Sequence, residues 1–161
     1  MRAFFIPLLL ASAALAQQPA LTDIRLYASS ADVQALIANA KKIRAEGQAL
    51  VSQPIVALAP YRAVLEYRAS IGTAAIHEKE AEIFYVIDGS ATLVTGGKLV
   101  NEKRPNPENL NGTAIEGGKS QAVAKGDFFI VPDGTAHWFS EIKGVLVLMS
   151  LHIPRSAAAK Q

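Results

Sequence analysis

From Gly126 to Trp138 the chain reads GDFFIVPDGTAHW, and this stretch constrains the fold more than any other. Lys125-Gly126 offers a tight turn, because a residue without Cβ accepts positive φ at no steric cost. Phe128 to Val131 is a short apolar run of strand length and β-prone composition. Pro132-Asp133-Gly134 then turns the chain back. His137 therefore lies one hairpin from the strand that precedes it.

The same punctuation runs through most of the chain. From Leu50 onward, β-rich runs alternate with Gly, Pro and Asn at short intervals, the pattern of an all-β sandwich or barrel. Strands are expected at Pro54 to Leu58, Ala63 to Arg68, Ala74 to His77, Glu82 to Ile87, Ala91 to Thr95 and Lys98 to Val100. Further strands are expected at Ala122 to Ala124, Phe128 to Val131, Thr135 to Ser140 and Val145 to His152. Asp88-Gly89, Gly96-Gly97, Gly117-Gly118 and Asp133-Gly134 mark turns between them. No parallel βαβ rhythm occurs. Asn101 to Gly112 is polar with two prolines and reads as a surface loop, either covering a barrel mouth or merely solvated. Ahead of the β region, Val33, Leu36, Ile37, Ala40 and Ile43 recur at helical spacing, which predicts a helix from about Ala31 to Glu46, capped by Ser30 and ended by Gly47. It is expected to pack on the outside of a sheet.

A chain of 161 residues, half of them apolar, suits one domain that buries a core without a structural metal or disulfide. The opening MRAFFIPLLLASAALAQ carries one Arg, an apolar run and small residues, the pattern of a secretory signal peptide cleaved after Ala16. The organisation expected is a signal peptide at 1–16, the helix and lead-in strands at 17–60, the barrel at 61–153 and a frayed tail at 154–161. The mature product is then periplasmic or secreted, with no membrane span. There is no cysteine, so thiolate metal sites and disulfides are excluded, and the scattered charges, net +2, speak against nucleic acid as a partner. The sequence contains no G-x-S-x-G, no phosphate loop and no dinucleotide fingerprint.

The chain has three histidines, and two lie in telling contexts. In AAIHEKEAEIFYVIDG, His77 precedes Glu82 by five residues, and Gly89 follows Glu82 by seven. Glu82 falls on the inward face of an apolar strand, where a carboxylate is costly unless a metal or an Arg answers it. Arg62 and Arg68 flank the strand Ala63 to Tyr67 and either reach such a carboxylate or stand solvated. His152, on the last strand, reads as structural, and Trp138 and Phe139 as core or interface residues.

These two contexts resemble the motifs of the cupin superfamily. Gly126, Pro132, Gly134 and His137 match the second motif, whose closing Asn is replaced here by Glu141. His77, Glu82 and Gly89 match the second His, the Glu and the closing Gly of the first motif, with Gly72 near its leading Gly. Ala75 stands where the motif's first His would be. The resemblance implies a cupin barrel, a double-stranded β-helix or jelly roll with one N-terminal helix. It also implies a divalent metal ion, Fe, Mn or Zn, held inside the barrel by His77, Glu82 and His137. Two histidines and a carboxylate suit non-haem iron or hydrolytic zinc with open positions; Glu78 or Glu80 could replace the absent ligand. The expected function is dioxygenase- or isomerase-type chemistry on a small organic molecule. The alternative, favoured by Ala75, is a non-catalytic small-ligand-binding protein with the metal absent or structural. A homodimer is expected from the same resemblance.

Overall fold

In the computed structural model, which describes residues 25–155, side-chain alternation runs on past several residues that the sequence marks as turns, and fuses short expected strands into long ones. The expected signal peptide and the last six residues of the expected tail lie outside the described residues. One helix, α1 (Ser30–Ile43), precedes β1 (Leu50–Leu58), β2 (Tyr61–Arg68), β3 (Ala74–His77), β4 (Glu80–Thr95), β5 (Lys98–Val100), β6 (Lys103–Asn106), β7 (Asn109–Gly112), β8 (Ala114–Glu116), β9 (Lys119–Ala124), β10 (Phe128–Val131) and β11 (His137–Pro154).

The 16-residue β4 replaces two expected strands and the hairpin between them. Gly89 is left-handed at φ 87°, but its role is close approach: a Cβ there would lie 2.1 Å from the Val145 carbonyl oxygen. The 18-residue β11 likewise joins two expected strands. It pairs with β4 along almost its whole length, with register shifts between Phe139 and Glu141 and between Lys143 and Val147. Such bulges bend a strand without ending it.

Because both strands are long and bent, each serves two layers. The second part of β11 lies between β2 and the first part of β4, with β1 beyond β2 and β10 beyond β4. The first part of β11 meets β3 and the second part of β4, with β7 and β6 beyond β3 and β9 beyond β4. All these pairings are antiparallel, and the result is the expected jelly roll. Between the layers lie Phe84, Val86, Leu93, Val131, Phe139, Leu146 and Leu148, all buried. Phe84 stacks on Phe129 at 5.0 Å and meets Phe139 edge-on at 6.0 Å, geometries that aromatic quadrupoles favour.

The helix packs on the outside of this framework, as its apolar stripe predicts. Val33, Leu36, Ile37 and Ala40 cover Val51, Ile55, Leu65 and Tyr67. Its start differs by one residue from expectation. Ser29, not Ser30, is the N-cap, because Ser29 and Asp32 form a reciprocal capping box, which satisfies two otherwise orphaned donors. The helix also ends at Ile43, short of Glu46 and Gly47, because Arg44 turns extended and the chain needs the remaining residues to reach β1.

The expected loop at Asn101 to Gly112 is a correction. Lys103–Asn106 and Asn109–Gly112 form a hairpin, and β7 pairs with β3. Its polar composition misleads because β6 is an exposed edge strand, where polar side chains and proline are tolerated.

The two motif glycines should respond differently to alanine. Gly126, at φ 92°, has nothing within 4 Å of a built Cβ, whereas Gly89 meets backbone at 2.1 Å. Urea unfolding should show Gly126→Ala costing about 1–2 kcal/mol from the left-handed backbone alone, with Gly89→Ala clearly more damaging. Equal losses would mean that close packing at Gly89 is not what the fold requires.

Candidate metal centre

Three neighbouring strands deliver the motif residues to one point. His77 ends β3, Glu82 lies near the start of β4, and His137 opens β11. Cross-strand pairing places Glu82 opposite Val131 and His152, and His137 opposite Ala75. The Nε2 atoms of His77 and His137 stand 3.4 Å and 3.3 Å from the same oxygen, Glu82 Oε2. One ligand atom from each of the three residues falls within 4.8 Å of the others. Their side chains differ in access: Glu82 and His137 are 4% and 6% exposed, His77 23%.

The far nitrogens decide what the near ones can do. His77 Nδ1 lies 2.6 Å from Asn109 Oδ1. The orientation of Asn109 is fixed in turn, because its amide nitrogen donates to Asn106 Oδ1, which also accepts from the Glu108 backbone N–H. His137 Nδ1 lies 3.2 Å from the carbonyl oxygen of Thr135. In a neutral ring, a hydrogen on Nδ1 facing these acceptors leaves the Nε2 lone pair aimed at the carboxylate oxygen, whereas a protonated ring donates to it from Nε2. Glu82 Oε2 is itself buried without a hydrogen-bond partner. Three lone pairs converging in a buried place repel unless a cation or a proton lies between them. Two donors each about 2.0–2.2 Å from one ion stand roughly 3.0–3.4 Å apart, so the spacing suits a metal. An imidazole that binds a metal through one nitrogen and donates from the other to a carbonyl oxygen is the usual outer arrangement of such sites.

The charge balance follows. Burial works to raise the Glu82 carboxyl, but His137 and His77 beside it overrule burial and hold it far below the usual carboxylate range. Burial likewise opposes charge on His77, yet Glu82, with help from Asn109 and Glu80, holds its pKa above the ordinary histidine value. A proton on His77 can thus stand where a cation would.

The third histidine does not lie apart. His152, read from the sequence as structural, reaches into the site, with Nε2 3.2 Å from Glu82 Oε1 and Nδ1 3.0 Å from Glu80 Oε2. Burial, reinforced by Arg62, pushes its pKa down despite the two carboxylates. Glu80 accepts both arms of the Arg62 guanidinium at 2.9 Å; burial works against its ionisation, but Arg62 and His152 hold its pKa low. The alternation Leu146, Leu148, Ser150, His152, all buried, is the signal that could have placed His152 inward, since residues two apart share a face. Asn109 had no comparable signal, because its role depends on the pairing of β7 with β3.

The remaining candidates fall elsewhere. Glu78 pairs with Arg104 at 2.7 Å on the surface. Arg68 reaches a different barrel carboxylate, Glu66, at 2.7 Å, which also accepts from Ser150. Glu141 accepts from Thr92 at an exposed position. Phe139 is core, and Trp138 is half-buried, donating to the Gly72 carbonyl. Ala75 supplies no donor. A shallow groove of about 210 Å³ lined by Leu26, Leu58, Tyr61 and Arg62 contains none of the three convergent residues.

The comparisons agree with this architecture. No curated protein matches the sequence. KdgF from Halomonas sp. superposes with a TM-score of 0.51 at 17% identity, covering 71% of this chain and 86% of that one. A protein of Thermus thermophilus gives 0.51 at 14% identity over 72% and 93%. HppE in its FeII form gives 0.52 at 15% identity over 69% and 54%, so this chain spans about half the length of HppE. These likenesses concern the fold. The family described as Cupin matches residues 55–157, more than half of the sequence, and the chain belongs to the cupin family.

Proposed function

We propose that this protein is an exported metal-binding cupin that acts on a small organic molecule, with one divalent ion, iron, manganese or zinc, held by His77, Glu82 and His137. The observation that carries the reading is the convergence of two imidazole lone pairs on a buried carboxylate oxygen that has no hydrogen bond of its own. HppE is described in an FeII form, which supports iron as the first ion to load. An ion held there supplies Lewis-acid polarisation of a substrate oxygen and, where it is iron, redox chemistry with dioxygen, so dioxygenase- and isomerase-type reactions both suit the site.

The protein's own residues set the conditions for that chemistry. Asn109 and Thr135 keep the imidazole hydrogens on the far nitrogens. Glu82 stays ionised and offsets part of an ion's charge. Ala75, paired opposite His137, withholds the fourth donor of the family pattern, which leaves room for substrate atoms. His77 is the most exposed of the three and marks the side from which substrate enters. Phe84, fully buried with its ring 6.1 Å from that of His137, backs the site and keeps water from that wall. The leader-like opening of the sequence supports a periplasmic or secreted location. Exposed Tyr85, Phe128 and Ile130 on adjacent strands support packing of a second copy as a homodimer.

Elemental analysis after incubation with iron, manganese or zinc should find about one ion per chain in the parent protein. His77→Ala and His137→Ala should each bind at least about tenfold more weakly, as expected for loss of a direct ligand in a site this small. The same negligible content in all three proteins would end the metal reading, and saturable ligand uptake unaffected by chelator would favour the non-catalytic alternative.

Protons compete for the same lone pairs. Because the His77 pKa lies above its ordinary value, the ring must lose a proton to bind an ion, and affinity should weaken as pH falls from about 8 towards about 6. The slope should approach about tenfold per pH unit for each proton displaced. Calorimetric titration across that range checks it; a flat profile would place the ion away from His77.

A further inference from the structure

Every histidine of the chain is built into the same pattern. His77 and His137 each turn Nδ1 to an acceptor, Asn109 Oδ1 and the Thr135 carbonyl, and Nε2 to Glu82 Oε2 at 3.4 Å and 3.3 Å. His152 repeats the pattern on the other carboxylate oxygen, with Nδ1 3.0 Å from Glu80 Oε2 and Nε2 3.2 Å from Glu82 Oε1. The chain has three histidines, so all of its imidazoles surround one buried carboxylate.

What His152 offers Glu82 follows from the group behind it. Arg62 donates to both oxygens of Glu80 at 2.9 Å, the fork geometry of a carboxylate kept ionised, and an ionised carboxylate only accepts. His152 therefore donates from Nδ1, and its neutral ring keeps a lone pair on Nε2, directed at Glu82. An imidazole that donates to a carboxylate from one nitrogen and presents a lone pair on the other is prepared as a metal ligand. The ring positions agree. Imidazoles bound to one ion through nitrogens about 2.0–2.1 Å away, at angles between a right angle and trigonal, have centroids roughly 4.5–5.6 Å apart. The ring of His77 lies 5.3 Å from that of His137 and 5.5 Å from that of His152. The compact group of ligand atoms within 4.8 Å of one another holds His77, Glu82 and His137. His152 stands beside it on the Oε1 side, and a carboxylate that holds an ion through both oxygens brings it into the same shell.

We propose that His152 is a further metal ligand, so that all three histidines and Glu82 hold the ion, and that Glu80, backed by Arg62, orients its ring. The inference rests on the metal reading given above and extends its ligand set. His152 restores the number of donors in the family pattern without restoring the place: Ala75 pairs opposite His137, whereas His152 pairs opposite Glu82. The position that Ala75 leaves open therefore stays free for substrate atoms.

Proton NMR of the full protein loaded with Co²⁺ tests it. High-spin cobalt shifts the protons of a bound imidazole far outside the ordinary range, and each ring bound through Nε2 contributes one shifted, exchangeable Nδ1 hydrogen. The parent should show one such signal for each of the three histidines. His152→Ala should lose one of them, and competition against a coloured chelator should find its Co²⁺ affinity at least about tenfold lower. If that variant does not fold, the count in the parent still decides. Fewer signals in the Co²⁺-loaded parent than histidines would overturn the proposal, as would an affinity of folded His152→Ala within about twofold of the parent. A parent protein that takes up no Co²⁺ would instead bring down the metal reading itself.

Discussion

Glu82 Oε2 is the atom on which the interior of this barrel depends. Buried, ionised and without a hydrogen bond, it would be a severe liability in an apolar core. In their neutral forms the two imidazoles meet it with lone pairs, because their far nitrogens face Asn109 and Thr135. Only a positive charge reconciles the three. A proton on His77 supplies one, and a divalent ion would satisfy all three donors at once.

The fold places this atom through two long strands. β4 carries Glu80 and Glu82, and β11 carries His137 at one end and His152 at the other. Because β11 bends through its register shifts, residues fifteen positions apart in sequence return to the same carboxylate. Gly89 makes that return possible, since β11 backbone passes where any side chain at this position would sit. The closing glycine of the first motif is thus a packing residue for the strand that delivers the histidines. The aromatic group of Phe84, Phe129 and Phe139 fills the space beneath, so the polar cluster sits on a rigid apolar floor.

What could be read in advance divides along physical lines. Antiparallel β architecture and the outer helix were legible, because each is encoded locally by turn residues or periodicity, while the grouping of His77, Glu82 and His137 followed from the resemblance to the cupin motifs. Strand continuity through Asp88-Gly89 was not, since a glycine that permits close approach and one that makes a turn look alike in sequence. The hairpin at Lys103–Asn106 and Asn109–Gly112 was hidden by its polar composition, and with it the contact of Asn109 with His77. His152 was read as structural, and its two-residue alternation with Ser150 and Leu148 would have placed it on the inward face beside Glu80 and Glu82. Arg62 was weighed as a partner for a barrel carboxylate and is one, but for Glu80 rather than Glu82.

The central claim is that a divalent ion belongs between His77, Glu82 and His137. Crystals of the protein grown with Mn²⁺ and measured above the manganese absorption edge test it most directly. The account predicts one anomalous peak within about 2.0–2.3 Å of Glu82 Oε2 and of both Nε2 atoms. Anomalous density elsewhere, or none at this point under saturating Mn²⁺, Fe²⁺ and Zn²⁺, would contradict it.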